Sequence, residues 1–166
     1  MEQDFFLTEP EAPARIKLTF PIEVKAVQSV RHRIVMPKDP GKKPFVMTYQ
    51  PKEVEQFKAD IRRFTFDQIA EISHFKQLEG PIGLNIVYTY GFLKKHTQGQ
   101  INKVYNGGVL WKTTAPDIDS NTNKGLVDAI SGILWKNDAQ ICHITGIKKV
   151  YGPEASINIE AWEIKE

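Results

Sequence analysis

The stretch 116-PDIDSNTNKGLVDAISGILWKNDAQ-140 decides the fold, because it contains one helix together with both segments that flank it. Pro116 disfavours helical geometry for the residue before it, so the approach to the helix is extended. The helix is predicted to begin near Ser120, and Gly132 weakens its end. Its apolar positions recur on one side, at Leu126, Val127, Ile130, Ile133 and Leu134. The stretch therefore predicts a helix that leads into a strand near Gln140.

Upstream of this stretch, the sequence predicts a further helix between strands. Residues 15–35 are rich in β-branched residues and partly alternate, which predicts one or two strands. Residues 36–44 form a basic loop with several prolines. A helix is predicted from Pro51, with an apolar stripe at three- and four-residue steps as far as Phe75. Residues 82–92 predict a strand.

The segment 93–113 is long, basic and without clear periodicity. Asn106-Gly107 is a hairpin-turn signal, so part of this segment is predicted to be a β-ribbon. Two closing strands are predicted at 140–150 and 156–164. The order β-α-β-α-β-β indicates the α/β (α+β) class, as a single mixed-sheet domain with two main helices. Residues 1–14 carry four acids and no Lys or Arg, so we expect a flexible acidic tail and a domain over 15–166.

Composition bounds the class of protein. A chain of 166 residues suits one domain with a real core. A single cysteine, Cys142, excludes an internal disulfide and fits a reducing compartment. No apolar run is long enough for a spanning helix, and the amino terminus has no basic region before an apolar run. We therefore expect a cytoplasmic protein without a membrane partner.

The charge is unevenly distributed along the chain. Residues 15–112 hold 17 Lys and Arg against 8 Asp and Glu, whereas residues 113–166 hold 5 Lys against 8 acids. This division suits a protein that binds a polyanion and performs cation-dependent chemistry on it. The alternative is that the basic residues only coat the solvent-facing surface. The candidate phosphate contacts are Arg31, Arg33, Lys42, Lys43, Lys94, Lys95, Lys148 and Lys149. Three aromatic residues beside the basic segment either stack on unpaired bases or pack in the core: Phe92, Tyr105 and Trp111.

The acidic residues of the decisive stretch are the candidate chemical centre. Asp117 and Asp119 are two residues apart in an extended segment, so their side chains point to the same side. The turn after the helix is expected to return Asp138 to the same end of the sheet. Carboxylates gathered in one place repel each other unless a cation neutralises them, and oxygen ligands favour Mg²⁺. The alternative for Asp119 is that it caps the helix.

Two residues inside the helix are further candidates. Lys124 and Asp128 share a helix face because they are four residues apart. Asp128 is a candidate further metal ligand, although a role in orienting Lys124 or a metal-bound water is favoured over direct ligation. The alternative is that Asp128 is a solvated helix carboxylate.

These motifs resemble the RusA family. The family pattern is D-x-D, then K-x-x-x-D-A, an aromatic residue, and D-D-x-Q entering a strand. The matching residues are Asp117-Ile118-Asp119, Lys124 to Asp128-Ala129, Trp135, and Asp138-Ala139-Gln140. The resemblance covers roughly residues 20–164, with strong motifs only between 116 and 140. There is one extra residue after Asp119, so Asn123 has the family's spacing from Asp119, whereas Lys124 has its spacing from Asp128. Asn137 replaces the first acid of the D-D pair.

The resemblance implies an endodeoxyribonuclease that resolves Holliday junctions and other branched DNA by paired symmetric incisions. It implies Mg²⁺ as the cofactor, with Mn²⁺ as a substitute, a homodimer, and products with 5′-phosphate and 3′-hydroxyl ends. Asp117, Asp119 and Asp138 would bind the metal, and Lys124 would be the catalytic lysine. A phage or prophage source is expected. The alternatives are a branched-DNA-binding protein that does not cut, and a D-x-D nucleotide-sugar transferase, which the short chain disfavours.

Overall fold

The computed structural model describes residues 15–24, 31–118 and 120–165, without the side chains of residues 120 and 121. The predicted acidic tail, residues 1–14, lies outside the described residues. The strands and helices are β1 (Ile16–Phe20), β2 (Arg31–Val35), β3 (Phe45–Tyr49), α1 (Lys52–Ala70), β4 (Ile82–Gly91), α2 (Gln98–Tyr105), β5 (Leu110–Trp111), α3 (Ser120–Ile130), β6 (Ile141–Gly152) and β7 (Ser156–Glu163). A short 3₁₀ turn, Asp138–Gln140, leads into β6.

Five strands form one mixed sheet in the order β1-β7-β4-β6-β5, and β2 pairs with β3 in a separate two-stranded hairpin. Within the sheet, β4 and β6 are parallel, and the other neighbours are antiparallel. The chain must therefore cross from one end of the sheet to the other between β4 and β6, and α3 makes that crossing. This architecture confirms the predicted mixed α/β class.

Helices α1 and α3 pack together against the sheet and form the core with it. Helix α1 buries Val54, Phe57, Ile61 and Thr65, which recur at three- and four-residue steps. The other fully buried side chains include Leu18, Phe20, Ile82, Leu84, Ile86, Leu126, Ile130, Leu134, Trp135 and Ile157. The described part of the chain has no helix that is both long and apolar enough to cross a membrane.

The predicted strands and the two main helices are confirmed, with α1 ending at Ala70 rather than near Phe75. The β-ribbon predicted within 93–113 is wrong, because residues 98–105 form helix α2. Thr97 and Gln100 form a capping box at its start. Gly107 has a positive φ of 81° just after the helix, so Asn106-Gly107 ends a helix instead of joining two strands.

The packing of β4 against β7 leads to a test of stability. A Cβ atom on Gly83 would overlap the indole of Trp162, the residue paired with it on β7. We expect Gly83→Ala to lower the free energy of unfolding by about 1–3 kcal/mol, because the indole must move out of a packed position. Urea denaturation followed by circular dichroism measures the effect.

The matched control is Gly91→Ala at the other end of the same strand, where a Cβ atom would meet nothing within 4 Å. It should leave the unfolding midpoint near that of the wild type. Equal midpoints for the two variants would contradict the described packing of Trp162.

Candidate functional site

Asp117 lies on a loop that is held by its backbone while its carboxylate faces solvent. The Lys149 ammonium donates to the carbonyl oxygens of Thr114 (2.8 Å) and Pro116 (2.7 Å). The Thr122 hydroxyl, from the first turns of α3, donates to the carbonyl oxygen of Asp117 at 3.0 Å. The Asp117 side chain is exposed. The fold therefore fixes the position of this acid without using its carboxylate.

Asp119, the second acid of the D-x-D pair, lies outside the described residues. The same holds for the side chain of Ser120, which follows it. Both roles considered for Asp119, metal ligand and helix cap, therefore stay predictions.

Asn123 and Lys124, the two residues that match the family's lysine by one spacing or the other, have different surroundings in the structure. The Tyr88 hydroxyl donates to the amide oxygen of Asn123 at 2.8 Å. Burial, together with nearby Tyr90, raises the pKa of Tyr88, so the hydroxyl keeps the proton that it donates. Lys124, one residue on, is exposed. Asn123 thus anchors α3 to the sheet, and Lys124 presents its ammonium group to solvent.

Asp128 has a partner that the sequence did not indicate. Its carboxylate accepts from the Lys58 ammonium at 3.1 Å, with 17% of the lysine side chain and 29% of the aspartate side chain exposed. On the same turn of α3, the Arg62 guanidinium donates to the carbonyl oxygen of Ala129 at 3.4 Å. Both contacts join α3 to α1. Asp128 therefore joins α3 to α1, a contact that the sequence did not predict. Its candidate roles as a further metal ligand and as the residue that orients Lys124 or a metal-bound water stay predictions.

Asp138 lies in a turn that is held by its neighbours. The Asn137 side chain accepts from the backbone N–H of Ala139 at 2.9 Å, and the Asn137 N–H donates to the Gln140 side chain at 2.8 Å. The Gln140 amide also donates to three carbonyl oxygens before β4, those of Leu78, Glu79 and Gly80. Asp138 itself is exposed. The N-D-x-Q motif therefore fixes the backbone and leaves the Asp138 carboxylate in solvent.

Asp117 and Asp138 of one chain lie at opposite ends of α3. The start of α3, and with it Asp117, lies at the level of Tyr88, whereas Asp138 precedes β6, whose first residue pairs with Ile82. The six residue-to-residue steps from Ile82 to Tyr88 span about 20 Å at the usual strand rise. The ligands of one Mg²⁺ ion lie only about 2 Å from it. The expectation that the turn after α3 returns Asp138 to the end where Asp117 lies is therefore wrong within one chain.

The acidic groups do not form a complete metal site by themselves. Within residues 15–24, 31–118 and 120–165, no group of three or more Asp, Glu, His or Cys side chains could hold a metal ion. Asp119 lies outside the described residues, so the search for metal-binding groups did not include it. The described part of one chain thus supplies single carboxylates at two separate places.

Lys112 places a positive charge over the carboxyl ends of β4 and β6. The Lys112 ammonium lies 4.7 Å from the ring centre of Tyr90 and 5.4 Å from that of Tyr151. A hydrogen bond with Thr114, and the ammonium groups of Lys112 and Lys95, hold the pKa of Tyr151 below its usual value. Burial raises the pKa of Tyr90 to about 12. Lys112 was missed in the sequence, because a lone lysine after a short strand carries no spacing signal.

The predicted phosphate contacts fall into three groups. Lys94 and Lys95 are exposed in the loop after β4. Lys148 is exposed on β6, whereas Lys149 holds the Asp117 loop. The remaining four are exposed on the β2–β3 hairpin and its loop: Arg31, Arg33, Lys42 and Lys43.

Of the three candidate stacking aromatics, two are largely exposed. Tyr105 and Trp111 expose 66% and 57% of their surface. Phe92 instead packs edge-on against His96 and Tyr105. A cavity of about 420 Å³ lies beside them, between Phe92, Lys112 and Tyr151. Stacking of Tyr105 and Trp111 on unpaired bases therefore stays a prediction.

Comparison with models of protein families gives a match over most of the chain. A model of the endodeoxyribonuclease RusA family matches residues 21–161, which is most of the chain. No curated protein sequence matches significantly. The family match tests neither the expected phage source nor the cytoplasmic location, which stay predictions.

The anchoring of the Asp117 loop leads to a second test. We expect Lys149→Met to free the carbonyl groups of Thr114 and Pro116, so the backbone amides of residues 112–118 exchange hydrogen faster by roughly tenfold or more. The control is Lys148→Met, which removes a neighbouring exposed charge and should leave these amides unchanged. Hydrogen exchange with mass spectrometry measures both variants. Equal exchange in both would mean that Lys149 does not hold the loop.

Proposed function

The chain belongs to the RusA family of Holliday junction endodeoxyribonucleases, and from that premise we propose that it cuts branched DNA by paired incisions as a Mg²⁺-dependent homodimer. The observation that carries the proposal is the pair of exposed, backbone-anchored carboxylates at opposite ends of α3. One chain provides both Asp117 and Asp138, but at two separate places. A second chain is needed to bring two such acids together in one site.

A two-fold axis provides that joining. If α3 of one protomer runs antiparallel to α3 of its partner, Asp117 of one chain approaches Asp138 of the partner subunit, and the same contact recurs at the other end. Two equivalent sites result, separated by about the length of the helix. Resolution of a four-way junction requires two incisions related by two-fold symmetry. A dimer with two equivalent sites would meet that requirement.

The residues fit a hard divalent cation. Asp117 and Asp138 are exposed carboxylates on fixed backbone, and carboxylate oxygen is the donor that Mg²⁺ prefers. Together with Asp119, they would hold the ion. When bound, Mg²⁺ would supply polarisation of the scissile phosphate and activation of the attacking water.

The chain's own side chains perform the remaining work. Lys124 places an ammonium group in solvent near the start of α3, where it stabilises the negative charge that develops on the leaving 3′-oxygen. Water adds to phosphorus as the bond to that oxygen breaks, which leaves 5′-phosphate and 3′-hydroxyl ends. Lys149 keeps the Asp117 carboxylate in place, and the exposed lysines Lys94, Lys95 and Lys148 bind flanking phosphates. Such contacts give affinity and salt dependence rather than base specificity.

The role of Asp117 is tested by Asp117→Asn, which keeps the shape of the side chain and removes its charge. We expect cleavage of a synthetic four-way junction in Mg²⁺ to fall by at least about 100-fold, because a cation ligand is lost. Junction binding in EDTA should persist. Denaturing gels measure the cleavage, and native gels measure the binding.

The matched control for this variant is Asp67→Asn, which removes a carboxylate from an exposed position on α1. It should cut like the wild type. Equal cutting by the Asp117 variant and the wild type would remove Asp117 from the mechanism. Wild-type protein that binds junctions but leaves them intact in Mg²⁺ would contradict the nuclease function itself.

The shared site is tested by subunit complementation. Asp117→Asn and Asp138→Asn homodimers should both be inactive. In a mixed dimer, one site combines both substitutions and the other combines two native acids, so cutting returns. With random exchange of subunits, we expect about a quarter of the wild-type cutting activity per site, mostly as single nicks.

If both acids of each site came from one chain, every site in the mixed dimer would carry one substitution, and no activity would return. The control is a mixture of Asp117→Asn with wild type, in which the mixed dimers keep one native site under either arrangement. Total cutting in this control is about half that of the wild type with or without exchange. Exchange is reported instead by a rise in single nicks at the expense of paired cuts.

A further inference from the structure

The β2–β3 hairpin and its loop, residues 31–49, form a ribbon with little cover from the other described residues. Every position of β3 is exposed, and so is every position of β2 except Val35. Two-stranded hairpins of this kind are marginally stable in water unless something packs on them. We call this feature the ribbon.

The half of the ribbon next to its loop is apolar. Ile34 and Val46 face each other across the two strands and expose 67% and 64% of their surface. Phe45 exposes 53% on the other face of the ribbon, because neighbouring strand residues point to opposite faces, and Met36 exposes 72%. Apolar side chains of this number seldom stay in solvent without a binding role. These four side chains, the apolar cluster, are therefore a candidate contact surface that includes both faces of the ribbon.

The charge of the ribbon selects the partner. Residues 31–49 contain five cations, namely Arg31, Arg33, Lys38, Lys42 and Lys43, and one acid, Asp39. Three of the cations lie in the loop at the tip, beyond the apolar cluster. Two copies of such a ribbon would repel each other, whereas a polyanion would attract it. The charge thus favours nucleic acid over a second copy of this chain.

We propose that the ribbon enters the branch point of the DNA and holds its central bases unstacked. This inference rests on the proposed function and adds the element that recognises the branch. The lysines at the tip contact phosphates across the opening, while Ile34, Val46, Phe45 and Met36 cover base faces. Proteins that unstack a base step insert apolar side chains of these types.

The apolar side chains of the ribbon favour unstacking of bases over recognition of base edges in a DNA groove. A two-stranded ribbon fits the major groove, but reading base edges there requires hydrogen-bonding side chains. The half of the ribbon next to the loop offers apolar surface instead. Apolar surface gains most against base faces, and in duplex DNA those faces are covered by stacking. A branch point is where bases are most easily unstacked.

The test uses the full-length protein and a four-way junction that carries 2-aminopurine, a base whose fluorescence rises on unstacking, at its centre. Binding is measured in EDTA, so the DNA stays intact. Wild-type protein should raise the fluorescence, and the double variant Ile34→Ser with Val46→Ser should lose most of that rise. In Mg²⁺, the variant should cut a fully paired junction about tenfold more slowly, yet cut a junction with unpaired central bases at nearly the wild-type rate.

Two controls accompany this test. Phe66→Ser removes an apolar side chain that is 57% exposed on α1 and should behave as the wild type. Met36→Ser with Phe45→Ser changes the same half of the ribbon at other positions and should repeat the loss. Circular dichroism and light scattering report folding and oligomeric state.

The outcomes are distinct. Wild-type fluorescence and cutting in both ribbon variants would overturn the role of the ribbon and leave the nuclease function standing. Variants that became monomeric would show that the ribbon joins two protein chains, which also overturns the inference. A wild-type protein that did not cut junctions would instead contradict the proposed function.

Discussion

Strands β4 and β6 run parallel and side by side, and parallel neighbours require a connection that returns to the starting end of the sheet. Helix α3 is the return segment. Residues before it lie at one end of the sheet, and residues after it lie at the other. Asp117 and Asp138 occupy these two positions, so their separation follows from the topology. A metal site that needs both acids must draw them from two chains.

The polar contacts around α3 fix both ends of that crossing. At one end, Lys149 and Thr122 bind carbonyl groups of the Asp117 loop. At the other end, the Gln140 amide binds three carbonyl groups before β4. In each case side chains satisfy backbone groups, while the acid remains free of these contacts and exposed. Polar side chains therefore hold the backbone near both acids, and the carboxylates of Asp117 and Asp138 stay exposed to solvent.

Much of the fold could be predicted because periodicity reports burial directly. The stripe of α1 and the pattern of β4 follow from packing on a single core, and the structure confirms both. Helix α2 was missed because it buries no residue fully, and its one local signal is the Thr97–Gln100 capping box. The residue types of the candidate site could be predicted, because the motifs that contain them can be read in the sequence. Its geometry was not, because the sequence does not state that β4 and β6 are parallel.

The separation of the acids also bears on why such an enzyme would cut in pairs. If each site is shared between two chains, a monomer holds no complete site and cannot make a single incision. The contact that completes one site completes the other by symmetry, so both sites form together. The proposed dimer also brings two ribbons to one DNA branch, related by the same axis. Assembly, recognition of the branch and pairing of the cuts then depend on one two-fold contact, with no separate device needed to synchronise the incisions.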